Sequence, residues 1–547
     1  MILSRYLLLM LVAIATMLAS SAGVFASTKT DVKLVLIIAV DQLRPDRITD
    51  RLPGGLGRLI REGRVYVDAG LDHAITNTCP GHATILTGLN PSATGIVGND
   101  HFDREAWETV YCVADRRPDA RVFGQEYGRS PRMMRATTLG DWLKDRDPNT
   151  RVVSLSLKDR SAITMGGEQA DLVYWFDTDN GRLTTSRYYT DAKDTWPTWV
   201  EAFNGTAPLE DGYLSRLPDY WEHPAGSFRD DDFHAERDEF SRASPHPLGQ
   251  GAVDDIPQQF YASPWADRAI GELAIKAMEA ERLGRRGSTD LLAVGFSATD
   301  SIGHLYGPFS AEAADGLRVL DEVVDELLAA VDNQFDAGEV ITVLTADHGV
   351  AKIPEWDGDP LTPTCPHEEG RVAITPLAVS MYARLYWEFS FPFASPFELV
   401  GVAGSQIYVN EQEAGELGVS ADTVIAWIEN DLESEPYIRE VWRADELNGK
   451  ETNVARLYRN SYFPERSGDL IIQNEPGCLI SGPAGTTHGT PYDYDRRIPL
   501  VFRGRGFEPG AIAGEAHSID IAPTLAPLLG ITPPVGLHGR DLRNSRH

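Results

Sequence analysis

The sequence predicts an α/β protein: a three-layer α/β/α fold with a mostly parallel central sheet and two insertions forming a cap. Three observations carry this. Strand-length apolar runs alternate with helix-length segments, the pattern of βαβ units. The runs are continuous in their apolar character, as suits strands buried on both faces of a parallel sheet. Four predicted strands end at a candidate site residue, Asp41, Lys158, Asp300 and Asp347, and ligands on such sheets bind outside the carboxyl ends of the strands.

Taken in order, residues 1–26 read as an export signal. Arg5 is a minimal charged region, Leu7 to Ala19 is apolar, and Val24-Phe25-Ala26 is a small-x-small cleavage site before Ser27. The protein is therefore expected to be exported, periplasmic or secreted, with residues 27–547 forming the catalytic unit. Tyr6 to Ala26 is nearly long enough to span a bilayer, so membrane contact is expected only if this segment is retained. Val32 to Val40 is the first strand. Gly54 to Glu62 reads as a helix, as does Thr138 to Asp145. A strand over Arg151 to Leu157 runs into Lys158-Asp159-Arg160.

From about 181 to 264 the periodicity fails in a Trp-, Tyr-, Asp- and Pro-rich stretch, read as the first insertion. Ala266 to Arg282 is a helix, Asp290 to Phe296 a buried strand, Ser310 to Phe335 a long helix, and Glu339 to Leu344 another strand. A second insertion runs from about 352 to 480, with a helix near Ala421 to Leu432. The core returns at Arg497 to Phe502 and ends in a helix over Ser518 to Leu529.

The net charge is −31 and 42% of the 547 residues are hydrophobic. The charge argues against nucleic acid, which demands a basic surface, and an anionic substrate must be drawn by a local positive site. The cysteines are Cys79, Cys112, Cys365 and Cys478. Two disulfides are allowed in any of three pairings, and no metal-ribbon spacing occurs. Asn204-Gly205-Thr206 is a formal glycosylation acceptor, relevant only in a eukaryotic secretory pathway.

The site chemistry centres on Asn77-Thr78-Cys79-Pro80-Gly81-His82. Thr78 reads as a nucleophile at the N-cap of a helix over Cys79 to Thr87, stopped by Gly88. Helix starts present unpaired N–H groups to an anion. Taken alone, Thr78 is an ordinary cap, and Cys79 is a rival nucleophile. Asp300 and His304 share a helix face, Asp347-His348-Gly349 follows a strand end, Asp41 ends the first strand, and His488 lies in a Gly/Thr-rich loop. Three Asp and three His form an N/O ligand set for two zinc ions. One ion would activate Thr78 and the other would stabilise the leaving oxygen, by way of a phosphothreonine intermediate.

These motifs, Val40-Asp41-Gln42, Thr78-x-x-Gly81-His82, Gly98-Asn99-Asp100, Asp300-x-x-x-His304, Asp347-His348-Gly349 and Thr487-His488-Gly489, resemble the alkaline phosphatase superfamily. Within it they resemble the type I phosphodiesterase/nucleotide pyrophosphatase group. The resemblance runs from Asp41 to His488, with the insertions unmatched. It implies one zinc on Asp300, His304 and His488, and the other on Asp41, Thr78, Asp347 and His348. The Ser-Leu-Lys-Asp-Arg stretch resembles the PafA-like alkaline phosphatases, which implies that Asn99, Lys158 and Arg160 hold the phosphate. Residues i and i+2 of an extended segment share a face, so Lys158 and Arg160 can reach one site, and a monoester dianion needs such donors. Small-molecule phosphate monoesters are the expected substrates. A phosphodiesterase would use the same zinc ligands and Thr78. A sulfatase would need Cys or Ser followed by x-Pro-x-Arg, which Cys79-Pro80 does not provide. An inactive binding domain would need a missing ligand, and none is missing. His82 is read as a residue behind the ligands, and Asp100 receives no role.

Overall fold

The computed structural model describes residues 32–190, 196–224, 231–367, 370–390 and 396–544. The export signal expected over 1–26 lies outside them. No helix among the described residues is long and apolar enough to cross a membrane.

Nine strands form the main sheet: β1 (Leu34–Val40), β2 (Arg64–Gly70), β3 (Val152–Ser156), β4 (Leu172–Asp177), β5 (Arg182–Thr184), β6 (Asp290–Phe296), β7 (Val340–Thr345), β8 (Leu500–Gly504) and β9 (Gly510–His517). Their spatial order is β9-β2-β8-β7-β1-β6-β3-β4-β5. The central five, β7-β1-β6-β3-β4, are parallel. β8 runs antiparallel to both of its neighbours, and β5 pairs antiparallel with β4.

β1 shows why the run is continuously apolar. Leu34, Leu36, Ile38 and Val40 enter one core with α1 (Gly55–Glu62), α5 (Pro264–Ala280) and α7 (Ala311–Asp332). Val35, Ile37 and Ala39 enter the opposite core with α2 (Thr78–Thr87), α3 (Leu139–Arg146) and α8 (Ile521–Leu528). Helices thus cover both faces, giving three layers. Each buried aliphatic side chain is worth roughly 1.5–3 kcal/mol, which ties the strand ends to a rigid floor. Two further helices carry site residues: α4 (Asp159–Gly166) after β3, and α6 (Ala298–Tyr306) after β6.

The strand expected over Arg497 to Phe502 is β8, displaced to Leu500–Gly504 and antiparallel. The stretch read as the first insertion contributes β5 to the sheet edge, then the helix Thr198–Asn204 and a small hairpin, Tyr220–Trp221 with His246–Pro247. Asn204 is buried, its amide bonded to the Leu183 backbone, so the folded chain does not present it for glycosylation. The later stretch builds an antiparallel sheet of Val400–Ala403, Gln406–Val409, Leu470–Asn474 and Ile438–Arg443, with its own apolar core. The disulfides are Cys79–Cys112 and Cys365–Cys478.

Candidate active site

The parallel strands deliver their carboxyl ends to one place. Asp41 follows β1, and its backbone N–H donates to Phe296 O at the end of β6. Gln42 then adopts a left-handed φ of 66°. In that turn its N–H donates to Asp347 Oδ1 (3.1 Å) and its Nε2 to Asp300 Oδ1 (2.8 Å). Gln42 therefore links carboxylates from two other strands. It stood within the first motif, but nothing in its type or spacing revealed this role. Helix α6 places Asp300 and His304 one turn apart, as expected. Asp347 and His348 follow β7, and a loop brings in His488. Gly81 admits the close approach of α2: a Cβ there would lie 2.2 Å from Asp347 O.

Two sets of ligand atoms result. Asp41, Asp347 and His348 form one, and Asp300, His304 and His488 the other, with the atoms of each set within 4.8 Å of one another. His348 Nε2 lies 3.4 Å from Asp41 Oδ1 and 3.2 Å from Asp347 Oδ2. His304 Nε2 and His488 Nε2 lie 3.2 and 3.7 Å from Asp300 Oδ1. Each Nδ1 faces a backbone carbonyl: His304 to Thr486 O (2.8 Å), His348 to Gly349 O (2.9 Å) and His488 to Thr76 O (2.7 Å). A carbonyl can only accept, so Nδ1 carries the proton and the Nε2 lone pair is turned to the carboxylates.

This donor set fits a pair of divalent cations. Both Asp41 oxygens and Asp347 Oδ2 are buried without a hydrogen-bond partner among the described residues. Lys158 Nζ lies 2.5 Å from Asp41 Oδ2 and from Asp300 Oδ2. The contact with Asp300 is a hydrogen bond, whereas that with Asp41 is a charge contact outside hydrogen-bond geometry. One ammonium cannot compensate three buried carboxylates. Burial, reinforced by Asp347, pushes the Asp41 carboxyl well above its usual range. Burial also opposes ionisation of Asp300 and Asp347, yet close contact with His304 and Lys158 holds the first carboxyl low, and close contact with His348 and His82 the second. Burial depresses both His348 and His488, favouring the neutral, ligating imidazole.

Thr78 is the first residue of α2, with Asn77 in the cap position. This corrects the expectation of Thr78 as N-cap. Thr78 Oγ1 lies 3.4 Å from His348 Nε2, so the helix brings its hydroxyl to the first ligand set. The helix start offers fewer N–H groups than expected: Pro80 has none, and Cys79 N–H donates to Asn99 Oδ1 (2.9 Å). That bond orients Asn99 so that its Nδ2 remains a donor. Cys79 is in a disulfide and is no rival nucleophile. His82 Nδ1 lies 3.1 Å from Asp347 Oδ2, behind the ligand.

Lys158 and Arg160 do not lie on an extended segment. Lys158 caps α4 and Arg160 is in its first turn. Lys158 turns into the carboxylates, and Arg160 Nη1 donates to Tyr111 OH (3.2 Å). Asp159 instead accepts from Tyr111 OH (2.5 Å) and Arg129 (2.7 Å). The two cations still face a common region: both feel the Asp41 carboxylate, which favours their charged forms, and the Arg160 charge opposes that of Lys158.

Residues 35–496 match the type I phosphodiesterase/nucleotide pyrophosphatase family. The alkaline phosphatase PhoD of Zymomonas mobilis is 31% identical over 525 residues, covering 91% of this chain and 85% of that one. The alkaline phosphatase PafA of Elizabethkingia meningoseptica is 29% identical over 552 residues, covering 95% and 96%. A crystal structure of wild-type PafA superposes with a TM-score of 0.81 at 26% identity, covering 93% of this chain and 98% of that one. On this footing the chain belongs to the type I phosphodiesterase/nucleotide pyrophosphatase family and is a hydrolase.

Proposed function

We propose that the protein is an exported, metal-dependent phosphatase that hydrolyses phosphate monoesters through a phosphothreonine at Thr78. The observation that carries this is the convergence of Thr78 Oγ1, two Asp/His ligand sets and Lys158 at the ends of the parallel strands. Asp41, Thr78, Asp347 and His348 would hold one zinc ion, and Asp300, His304 and His488 the other. Three imidazoles among the ligands favour zinc over manganese. Bound there, zinc lowers the pKa of a hydroxyl and stabilises charge on a leaving oxygen.

The chain's own groups supply the rest. Thr78 Oγ attacks phosphorus, the ester P–O bond breaks, and the alcohol departs with a proton. Water then cleaves the phosphothreonine, releasing phosphate and restoring the hydroxyl. Asn99 Nδ2, Lys158 and Arg160 bind the non-bridging oxygens, which carry the extra charge of a monoester. Gln42 and His82 hold Asp300 and Asp347 in orientation. Two disulfides support export to an oxidising compartment.

The second reading is a phosphodiesterase. It is favoured by an apolar cavity of about 230 Å³ beside Asn77 and His488, lined by Met381, Val402, Ile407 and Ile472 among others. That space could take a second ester group. The test compares zinc-loaded protein on p-nitrophenyl phosphate and bis-p-nitrophenyl phosphate. The expected outcome is a monoester preference of orders of magnitude, most of it lost in Lys158→Ala/Arg160→Ala. Thr78→Ala should lose about a thousandfold or more in kcat. A diester preference untouched by the double variant would replace the monoesterase reading, and full activity in Thr78→Ala would end both.

A further inference from the structure

A second cluster of ligand-type side chains lies away from Thr78. It joins the hairpin Tyr220–Trp221/His246–Pro247 to the first turn of α7. Its members are His223, Asp231, His246 and Glu312. Glu312 Oε1 lies 3.2 Å from His246 Nε2 and 3.5 Å from His223 Nε2, and Asp231 Oδ1 lies 3.0 Å from His223 Nε2. Glu312 is fully buried, His246 is 1% exposed, and the His223 side chain is 4% exposed.

We propose that His223, His246 and Glu312, whose ligand atoms all lie within 4.8 Å of one another, form a third zinc site, distinct from the two ligand sets at Thr78, which clamps the hairpin onto α7, with Asp231 at its edge beside His223. Two observations carry this. First, His223 Nε2, His246 Nε2, Asp231 Oδ1 and both Glu312 oxygens are buried without a hydrogen-bond partner among the described residues. Atoms of this kind converging on one point without donors leave a cost that a cation removes. The 3.2 and 3.5 Å spacings of the two imidazole Nε2 atoms from Glu312 Oε1 are close to the edge of a tetrahedron, about 3.3 Å for zinc bonds of about 2.0–2.1 Å.

Second, the imidazoles are oriented for ligation. His223 Nδ1 faces Pro224 O (3.3 Å), and His246 Nδ1 faces Phe240 O and Ser241 O (3.2 Å each), with Tyr306 OH at 3.3 Å. The carbonyls take the Nδ1 protons, leaving each Nε2 lone pair aimed at the carboxylates. That arrangement is repulsive unless a metal ion, or a second proton on each ring, lies between. Two imidazoles and one carboxylate are a zinc donor set with a fourth position left for water or the nearby Asp231. The surround is fixed independently: Trp221 packs over His246 at 4.9 Å, and Trp221 Nε1 donates to Asp315 on α7 (2.9 Å). The competing occupant is the proton, with two imidazolium–carboxylate pairs and no metal.

The test strips full-length protein of metal, titrates it with zinc against a competing chromophoric chelator, and counts bound zinc by elemental analysis. Wild type should hold one zinc ion per chain more than His246→Gln/Glu312→Gln, whatever the occupancy at Thr78. If the double variant does not fold, Asp231→Asn is used, since that side chain is 40% exposed. It should weaken one zinc ion only, by about tenfold or more. Equal zinc content and affinity in wild type and either folded variant would overturn the proposal and assign the cluster to protons.

Discussion

His73 is fully buried, with neither ring nitrogen hydrogen-bonded among the described residues. Burial pushes its imidazole down to about 3. In the unfolded chain it titrates near pH 6.5. Between these values the unfolded state holds the extra proton, so stability rises with pH across that window and is lost as pH falls through it. Loss of metal from the proposed sites would also destabilise at low pH, so the comparison is made with His73→Leu. Moving from pH 7.5 to 5.5 should cost wild type about 1.4 kcal/mol more than the variant, read as the shift in urea unfolding free energy. Equal losses would show that His73 is charged or solvated in the fold. At this scale the candidate metal ligands were legible because Asp41, Asp300 and Asp347 follow continuous apolar runs. Gln42 was not, since its part depends on a left-handed backbone that no residue type announced. His223, His246 and Glu312 were missed because they are far apart in sequence and meet only when the hairpin folds onto α7.

Among the elements, α1 is held at its start by another helix. Its cap position is Gly54, which has no side chain to accept a hydrogen bond. Asp321, from α7, takes that part: Oδ2 accepts from Gly54 N (2.6 Å), and Oδ1 from Leu56 N (2.8 Å) and Gly57 N (3.2 Å). The carboxylate also lies at the positive end of the α1 dipole. Asp321→Ala leaves buried N–H groups unpaired, and should lower unfolding free energy by roughly 2–3 kcal/mol. Because α1 packs behind the sheet, kcat should change little. An unchanged denaturation midpoint would show that water or repacking replaces the carboxylate. The same contrast governs how far elements could be read. β1, β3, β6 and β7 are buried on both faces and were legible as apolar runs. β2, Arg-Val-Tyr-Val-Asp-Ala-Gly, is partly exposed and carries charge, so its pattern is neither continuous nor alternating. The reversed direction of β8 is set by how the chain returns from the last insertion, which is a tertiary choice.

For the molecule as a whole, the two disulfides act on different things. Cys365 and Cys478 are 113 residues apart and close a long loop around the separate antiparallel sheet. In the chain-entropy view a loop of this length gives about 4–5 kcal/mol, with measured values commonly 2–5. Cys79 and Cys112 are 33 residues apart and join the residue after Thr78 to the hairpin that holds Asn99, where Cys112 N donates to Asn99 O (2.9 Å). Opening this link frees α2 from the proposed phosphate donor, and a misplacement of about 1 Å can cost about a hundredfold in rate. The two pairs should therefore separate. Cys365→Ser/Cys478→Ser should lower the urea midpoint with kcat within a few-fold of wild type, whereas Cys79→Ser/Cys112→Ser should lower kcat much further for a comparable or smaller loss of stability. Both are measured on folded, zinc-loaded protein, with midpoints by fluorescence and kcat on p-nitrophenyl phosphate. If both variants lose activity only in proportion to stability, the Cys79 link is a general brace and does not position Thr78 against Asn99.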